Sequence, residues 1–471
     1  MGQEIAKQHF QEQDWQTFAA RLHAETALLQ QLFKDNALST RSGIGGFELE
    51  AWLTDKAFRP ACCNAQFLRS FNHPLATTEL AQFNIELNTD PMPLKAKVFS
   101  RFQENLCTLL QQAQAHAAQM DKELLFTGIL PTATQDDFSL EAMSASHRYQ
   151  ALNAEFIKAR QYQAVTLAIQ GENYLEALHD SLMLEAAATS FQIHFQVDVH
   201  NAHHYYNAAQ IVSAPIVALA ANSPFLFGQS LWHETRIPLF EQALDSGSHL
   251  PQRVIFGSGF AKQSIMECFT ENETVYPILL PVLFDKTVAY FAHLRFHNGV
   301  IWRWNRPLLG FDEDGTPHIR LEHRILPAGP SVPDMLANAA FFYGLVQAIG
   351  DELAEGKLLP LDFETARQGF YQAAQKGLTA NLQWHKQSYT AKALIQEHLL
   401  EKAIAGLRQL GIDESDIQAY LGIIAARTDS GQTGAVWQQC HFKQQASFQQ
   451  LLHDYVRLQR THTPVHTWTL A

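Results

Sequence analysis

Positive charge is what this sequence is shortest of. Its 471 residues carry 34 Lys+Arg against 47 Asp+Glu, a formal net charge of −13, and no basic stripe interrupts that balance, which argues against the phosphate-neutralising surface of a nucleic-acid binder. Long apolar runs are missing as well. The best candidate, residues 214–228, is broken by Asn222, Ser223 and Pro224, short of the roughly 20 residues that span a bilayer, so no membrane partner is expected. Residues 1–15 hold no apolar segment behind a basic one, and Ala6 stands where a myristoylation motif wants Ser or Thr; the expected location is the cytoplasm. The cysteines, Cys62, Cys63, Cys107, Cys268 and Cys440, are odd in number and lack C-x-x-C spacing, which speaks against both a disulfide framework and a zinc finger. Nucleophile and zinc-protease signatures of the G-x-S-x-G and H-E-x-x-H kind are absent too.

What is present suits a folded enzyme. Hydrophobic residues make up 46% and aromatics 11%, ample for a sizeable core. Without an internal repeat or a Pro/Gly/Ser-rich linker, residues 1–471 read as one domain. Apolar periodicity predicts helices over 14–36 and 95–122 and, from about Pro333 onward, over 335–350, 364–377, 390–410, 414–426 and 443–460, which makes 341–471 a mostly helical C-terminal part. Several strands precede it within 1–340, without the regular strand-helix rhythm of a parallel doubly wound sheet. The expected class is α+β, with a curved, largely antiparallel sheet, helices on its apolar face and a cavity on the other.

The strands carry the chemistry. Side chains alternate faces along a strand, so in 46–53 Phe47, Leu49, Ala51 and Leu53 make an apolar face and leave Glu48 and Glu50 together on the other. In 83–88 the odd residues are again apolar, and Glu86 sits between Asn84 and Asn88 on the polar face. The same alternation marks 192–198, with His194 on the polar side, 291–297, and 318–324, where His318, Arg320, Glu322 and Arg324 share a face. A solvated face would interleave Lys with Glu; these faces offer Glu, His, Asn, Gln and Arg instead. Carboxylates that converge repel unless a cation stands among them, and oxygen ligands favour a hard ion, so Mg²⁺, with Mn²⁺ as substitute, is expected at Glu48, Glu50, Glu86 and Glu322.

Several segments resemble, in order, those of the glutamate-cysteine ligase and carboxylate-amine ligase family, which is related in fold to glutamine synthetase. They are GGFELEAWLTD from Gly45, ELAQFNIELNTDP from Glu79, the pair Arg148-Tyr149, the run SFQIHFQVDVHNAHH with PIVALAANSPFLFG and then Arg236, and the late strand RLEHR. The resemblance spans residues 43–340. It implies a glutamine synthetase-like catalytic domain that joins the γ-carboxylate of L-glutamate to an amine, foremost L-cysteine, with ATP and Mg²⁺ and through γ-glutamyl phosphate: an ATP-dependent carbon-nitrogen ligase of glutathione biosynthesis. It further implies that His194 lies by the phosphates, that Glu322 and Arg324 act in catalysis, Arg324 on the transferring phosphoryl group, and that Arg236, Arg148 and Tyr149 bind substrate. Where many members read G-T-H-P, this chain has Gly128-Ile129-Leu130-Pro131 and no histidine.

Other readings stand beside this one. Another acid or amine is an alternative within the mechanism. A small-molecule kinase of the same fold would release ADP without phosphate, a two-metal hydrolase would use the same carboxylates, and a non-catalytic relative would have lost ATP binding. Residues 42–46, Gly-rich, lead into a strand and lack a following Lys-Ser/Thr, unlike a phosphate loop. His200, His203 and His204 read as polar residues at a helix start, Asp314-Gly315 as a turn, and residues 302–307 as either a stacking platform or a cover for the sheet edge. Arg427 and the 431–434 loop read as a turn between helices, with closure over the site as the alternative. A homodimer is expected from size and acidity.

Overall fold

The computed structural model describes Ile5 and residues 9–470. Helix α1 (Glu12–Lys34) precedes strand β1 (Ile44–Thr54), followed by β2 (Ala76–Thr78), β3 (Asn84–Asn88), β4 (Met92–Pro93), helix α2 (Val98–Gln119) and β5 (Glu123–Leu125). Strand β6 (Phe191–Val197) leads into helix α3 (Ala202–Ala220), and the hairpin β7 (Asn305–Phe311) and β8 (Pro317–His323) leads into α4 (Val332–Ala354). These strands form one antiparallel sheet in the order β7-β8-β6-β1-β3-β2, with β4 and β5 pairing at the two ends of β1. The sheet curls into a half-barrel.

The odd residues of β1 set its apolar face. Phe47 packs on Phe102 of α2 and on Phe191 of β6, with ring centroids 4.6 and 4.9 Å apart. Behind them α4 is buried along almost its whole length, as is α3, as expected of helices apolar all round. Tyr343 of α4 donates its hydroxyl proton to the carbonyl of His194 at 2.8 Å, so the innermost helix holds the strand that carries a site residue. Gly45 makes this possible, because a Cβ there would meet the Tyr343 hydroxyl at 2.5 Å. Gly344 of α4 and Gly406 of the helix Leu400–Gln409 let those two helices touch backbone to backbone.

Three sequence expectations are corrected. Residues 291–297 are not a strand: Ala292–Asn298 is a helix whose buried residues, His293, Leu294, His297 and Asn298, follow helical spacing. Residues 443–460 are split between Gly434–Gln445 and Phe448–Gln459, because Ala446 turns left-handed (φ 50°) and the Ser447 hydroxyl caps the second helix by accepting from the Gln450 amide. The span 390–410 is divided by a wide π-type turn at Ile395–Leu399. Arg427 is buried against α4, donating to Asn338 Oδ1 at 2.6 Å and Asp334 Oδ1 at 2.7 Å. Gly431 (φ 72°) then ends its helix and Thr433 caps the next, so this loop is a helix-connecting turn. Leu130, in place of the histidine, is packed in the core. No described helix is long and apolar enough to cross a membrane.

Candidate active site

The polar side of the sheet gathers the acidic residues by register. Glu50 stands across from Glu86 on one side of β1, Glu48 across from Gln192 on the other, and His194 and Arg306 across from Glu322 on either side of β8. Glu48, Glu86 and Glu322 are buried, Glu322 completely, and Glu50 is half-buried.

Two acidic groups of different character result. In the first, one ligand atom from each of Glu48, His194 and Glu322 lies within 4.8 Å of the others, the one such trio among the described residues. His194 Nδ1 accepts from Arg320 Nε at 3.2 Å, while Nε2 stands 3.0 Å from Glu48 Oε1. That approach is close enough for an ion pair but off hydrogen-bonding geometry, since His194 Nε2 and Glu48 Oε2 are both buried without a hydrogen-bond partner. Two orphaned ligand atoms, one from a carboxylate and one from an imidazole, converging with a second carboxylate, fit a divalent cation. Glu322 also takes two hydrogen bonds from Arg306, at 2.8 and 3.1 Å, and one from Arg324 at 3.2 Å. Against the upward push of burial, these guanidiniums hold Glu322 far below the usual carboxylate range, and His194 holds Glu48 below it. Both are poised as anions.

The second group behaves in the opposite way. Glu50 and Glu86 are joined by Glu79, which precedes β3, and by Glu185 in the short turn Leu182–Ala187. Burial raises all four. Glu86 is pushed up to about 7, with the charge of Glu48 adding to burial, and Glu185 to about 8, with Glu50 adding. Glu79 is raised well above its usual value by burial and by Glu86, Glu50 and Glu185, while Glu50 is raised by burial in spite of Arg324 and Arg236. The cluster relieves its repulsion by keeping protons, which a cation would displace. Glu50 is fixed in place by the Ser190 amide at 2.7 Å and Gln192 Nε2 at 3.0 Å, and Gln192 in turn accepts from Arg324 at 2.6 Å.

The second group lines one of two adjoining chambers, and Arg306 and Arg320, which hold the first group, border the other. The inner one, about 100 Å³, is bounded by Glu50, Glu79, Glu86 and Glu185, with Arg324, Arg148 and Tyr149 on its walls. The outer one, about 300 Å³, is basic and aromatic, lined by Lys286, Arg295 and Arg320 with Phe284, Tyr290 and Phe296. Arg148, Gly299 and Arg306 border both. Of the residues named from sequence, Glu50, Glu86, Arg324, Arg148 and Tyr149 line the inner chamber, while Glu48, His194 and Glu322 converge off its wall, tied to it through Arg306 and Arg324. Arg236 stands apart from the chamber walls. Its guanidinium lies beneath the floor, donating to the Ile325 carbonyl at 3.0 Å and to Glu234 at 3.2 Å. His200, His203 and His204 join no metal-competent group among the described residues. The 302–307 run divides: Trp302 lines the inner chamber, Trp304 is buried with its indole N–H on Glu241, and Arg306 holds Glu322.

Sequence reasoning missed Glu79, Glu185, Arg306 and Arg320 as site residues. Glu79 and Arg306 lay inside segments already singled out and Arg320 shared a face with Glu322, whereas Glu185 had no strand pattern to reveal it.

No curated protein matches the sequence. Among solved structures, a glutamate-cysteine ligase from Francisella tularensis, determined in complex with AMP, superposes with a TM-score of 0.58 at 14% identity, covering 92% of this chain and 91% of that one. A bifunctional glutathione synthetase from Pasteurella multocida gives a TM-score of 0.50 at 14% identity, covering 91% of this chain but 53% of that one. At such identities they share the fold, that of glutamine synthetase-like ligases. The profile of glutamate-cysteine ligase family 2 matches residues 44–447, a span that contains every strand of the half-barrel and both acidic groups, and the chain belongs to that family.

Proposed function

We propose that this chain uses ATP to activate the γ-carboxylate of L-glutamate and transfers the γ-glutamyl group to an amine, for which the family description points to L-cysteine. The observation that carries the reading is the adjacency of an acid-walled inner chamber and a basic, aromatic outer one that share Arg306 and Arg148 as border residues. Guanidinium and ammonium groups suit a polyphosphate, with aromatic faces for a base, while convergent carboxylates suit the cations that accompany it.

Glu48 and Glu322 would hold a divalent cation, Mg²⁺ or Mn²⁺, and Glu50 and Glu86, facing each other across β1 and β3, a second. The cations supply charge neutralisation as negative charge moves between phosphate oxygens. For Nε2 of His194 to ligate, the ring must carry its proton on Nδ1, and Arg320, which donates there, must turn to another acceptor, such as a phosphate oxygen. Arg324, anchored by Glu322 and Gln192, borders the inner chamber next to Glu50 and is placed to meet the transferring phosphoryl group. Arg148, on the boundary between chambers, is the group best placed to grip the α-carboxylate of glutamate, with Tyr149 beside it. Arg236 would support the strand end that carries Arg324 through the Ile325 carbonyl.

In this reading an oxygen of the γ-carboxylate attacks the γ-phosphorus of ATP and ADP leaves, giving γ-glutamyl phosphate. The amine nitrogen then attacks the acyl carbon, and phosphate leaves with the oxygen that had been the carboxylate's. Incubation with MgATP, L-glutamate and hydroxylamine tests this without choosing the amine. γ-Glutamyl hydroxamate that requires all three is the expected product, and ADP release without hydroxamate would favour a kinase.

A further inference from the structure

Away from both chambers, a cavity of about 270 Å³ lies at the far end of the helix that carries Arg148 and Tyr149. This helix, His147–Ala159, sends those two residues to the inner chamber from its start and Glu155, Phe156 and Lys158 to the cavity from its end. Among the described residues none borders both the cavity and a chamber. Arg253 reaches the cavity from within the protein. It is 3% exposed and donates to the carbonyls of Val300, at 3.1 Å, and Pro277. Among the described residues the other arginines buried to this degree, Arg160, Arg236, Arg303, Arg306 and Arg427, each pair with a carboxylate, whereas Arg253 pairs with none, and burial pushes it down to about 10. Ser246 borders the same cavity, and its buried hydroxyl has no hydrogen-bond partner. A buried cation without a counter-charge and a buried hydroxyl without a partner are both unfavourable unless a ligand completes them.

The lining decides the ligand's charge and shape. Arg253, Lys158 and Glu155 are the charged residues on the wall, with Lys158 3.5 Å from Glu155. Together they leave one positive charge, which suits a monoanion better than a phosphate dianion. A guanidinium meets a carboxylate at two points, and of the five N–H donors of Arg253 the two carbonyls use two. The remaining wall is mostly apolar. Trp15, its indole N–H held by the Ile278 carbonyl at 3.3 Å, offers a fixed aromatic face beside Phe156 and Leu250. Lys158 and Pro277 on the wall are exposed, so the cavity opens to solvent. Its volume stands at the small end of the range for ligand sites, roughly 300 Å³ upward.

We propose that this cavity is an effector site for a small organic monocarboxylate with an apolar body, its carboxylate on Arg253 and Ser246 and its body against Trp15 and Phe156. Two connections run from it to the active site. One is the helix that carries Arg148. The other is Val300, whose carbonyl Arg253 holds and which follows Gly299, a residue that borders both chambers and accepts from Arg306 at 3.3 Å. An occupant adds contacts to the helix end and to Arg253, so it should steady Arg148 and Gly299 and tighten the hold on glutamate. This coupling rests on the ligase reading above, whereas the binding itself does not.

The test begins with calorimetry on the full chain without substrates, using 3-phenylpropanoate as the probe and 3-phenylpropanamide and phenyl phosphate as controls. The carboxylate should bind at one site, the phosphate more weakly, and the amide about tenfold or more weakly, the loss expected of a charge-assisted hydrogen bond. Arg253→Met should abolish binding of the probe, and Lys158→Glu, at the exposed rim, should weaken it severalfold without changing the KM for glutamate measured in its absence. Should Arg253→Met fail to fold, Lys158→Glu and the amide decide. In the hydroxamate assay, saturating 3-phenylpropanoate should lower the KM for L-glutamate about fivefold, and L-glutamate should tighten the probe by the same factor. No binding of the carboxylate, or an amide that binds as well, would overturn the proposal. So would an unchanged KM for glutamate, or one that rises in proportion to the probe, which would put the probe in the chamber. Binding that is lost in both variants, with no hydroxamate under any condition, would sink the ligase reading and leave the carboxylate site standing.

Discussion

Replacing Glu322 with Gln removes a negative charge from a place that water does not reach. The carboxylate is 0% exposed and takes hydrogen bonds from Arg306 at 2.8 and 3.1 Å and from Arg324 at 3.2 Å. At an effective dielectric of about 20, opposite charges about 4 Å apart are worth about 4 kcal/mol, and Glu322→Gln deprives both guanidiniums of such a partner. Two effects reduce that loss. The carboxylate's own desolvation cost disappears with its charge, and Glu48 is freed of a like-charged neighbour. Removing one member of a buried pair costs about 3–5 kcal/mol, and the relief of Glu48 puts the expectation at the lower end, about 3 kcal/mol. With an unfolding entropy of about 2.1 cal/mol/K per residue, a chain of this length loses about 3 °C of melting temperature for that cost. A divalent cation at a hundred times its Kd should stabilise the parent by about 2.7 kcal/mol, a similar shift, and much of it should vanish in the variant. Scanning fluorimetry with and without Mn²⁺ reads both, and turnover should fall by a factor on the order of a hundred to a thousand. A variant that melts with the parent, keeps the Mn²⁺ shift and turns over normally would refute the placement of Glu322 between the arginines and the metal.

Two further expectations concern protons and arginines. Glu86, raised to about 7, and Glu185, raised to about 8, bind more protons folded than unfolded from pH about 4.5 upward, so the stability they confer is fully present below that pH and is lost as pH rises through about 8. Without divalent cations, melting temperature should therefore fall from pH 5.5 to 8.5, and excess Mg²⁺ should flatten the decline; a profile that rises over this window would contradict the clustering of these carboxylates. Arg148→Met should raise KM for a substrate about tenfold or more, the loss expected of one hydrogen bond to a charged group. Arg236→Met, which strands buried Glu234, should lower the melting temperature first. The reverse pattern would put Arg236 on the substrate.

Where the polypeptide is a strand with one buried face, the sequence was readable, because alternation alone sorts Glu48, Glu50 and Glu86 from Phe47, Leu49 and Ile85. The same rule misled at 291–297, since a short helix that buries His293, Leu294, His297 and Asn298 also shows polar residues at every second place. Glu79 and Glu185 lie outside the strands that form the floor, one in a connection and one in a tight turn, and no periodicity points a turn residue toward a cavity formed by distant segments. The loss of Arg236 from the chamber has a similar cause: its position after α3 was legible, but its capture by the Ile325 carbonyl depends on how the end of β8 folds back. The helix break at Ala446 rests on a left-handed residue of a type that ordinarily favours helix, so pattern alone would carry the helix through it.

The central claim, carboxylate activation by phosphoryl transfer, is tested most directly by following oxygen. L-Glutamate labelled with ¹⁸O in its γ-carboxylate, incubated with MgATP and hydroxylamine, should yield phosphate carrying one ¹⁸O for each hydroxamate formed, read by mass spectrometry. Phosphate without label, or ADP with no phosphate at all, would contradict it.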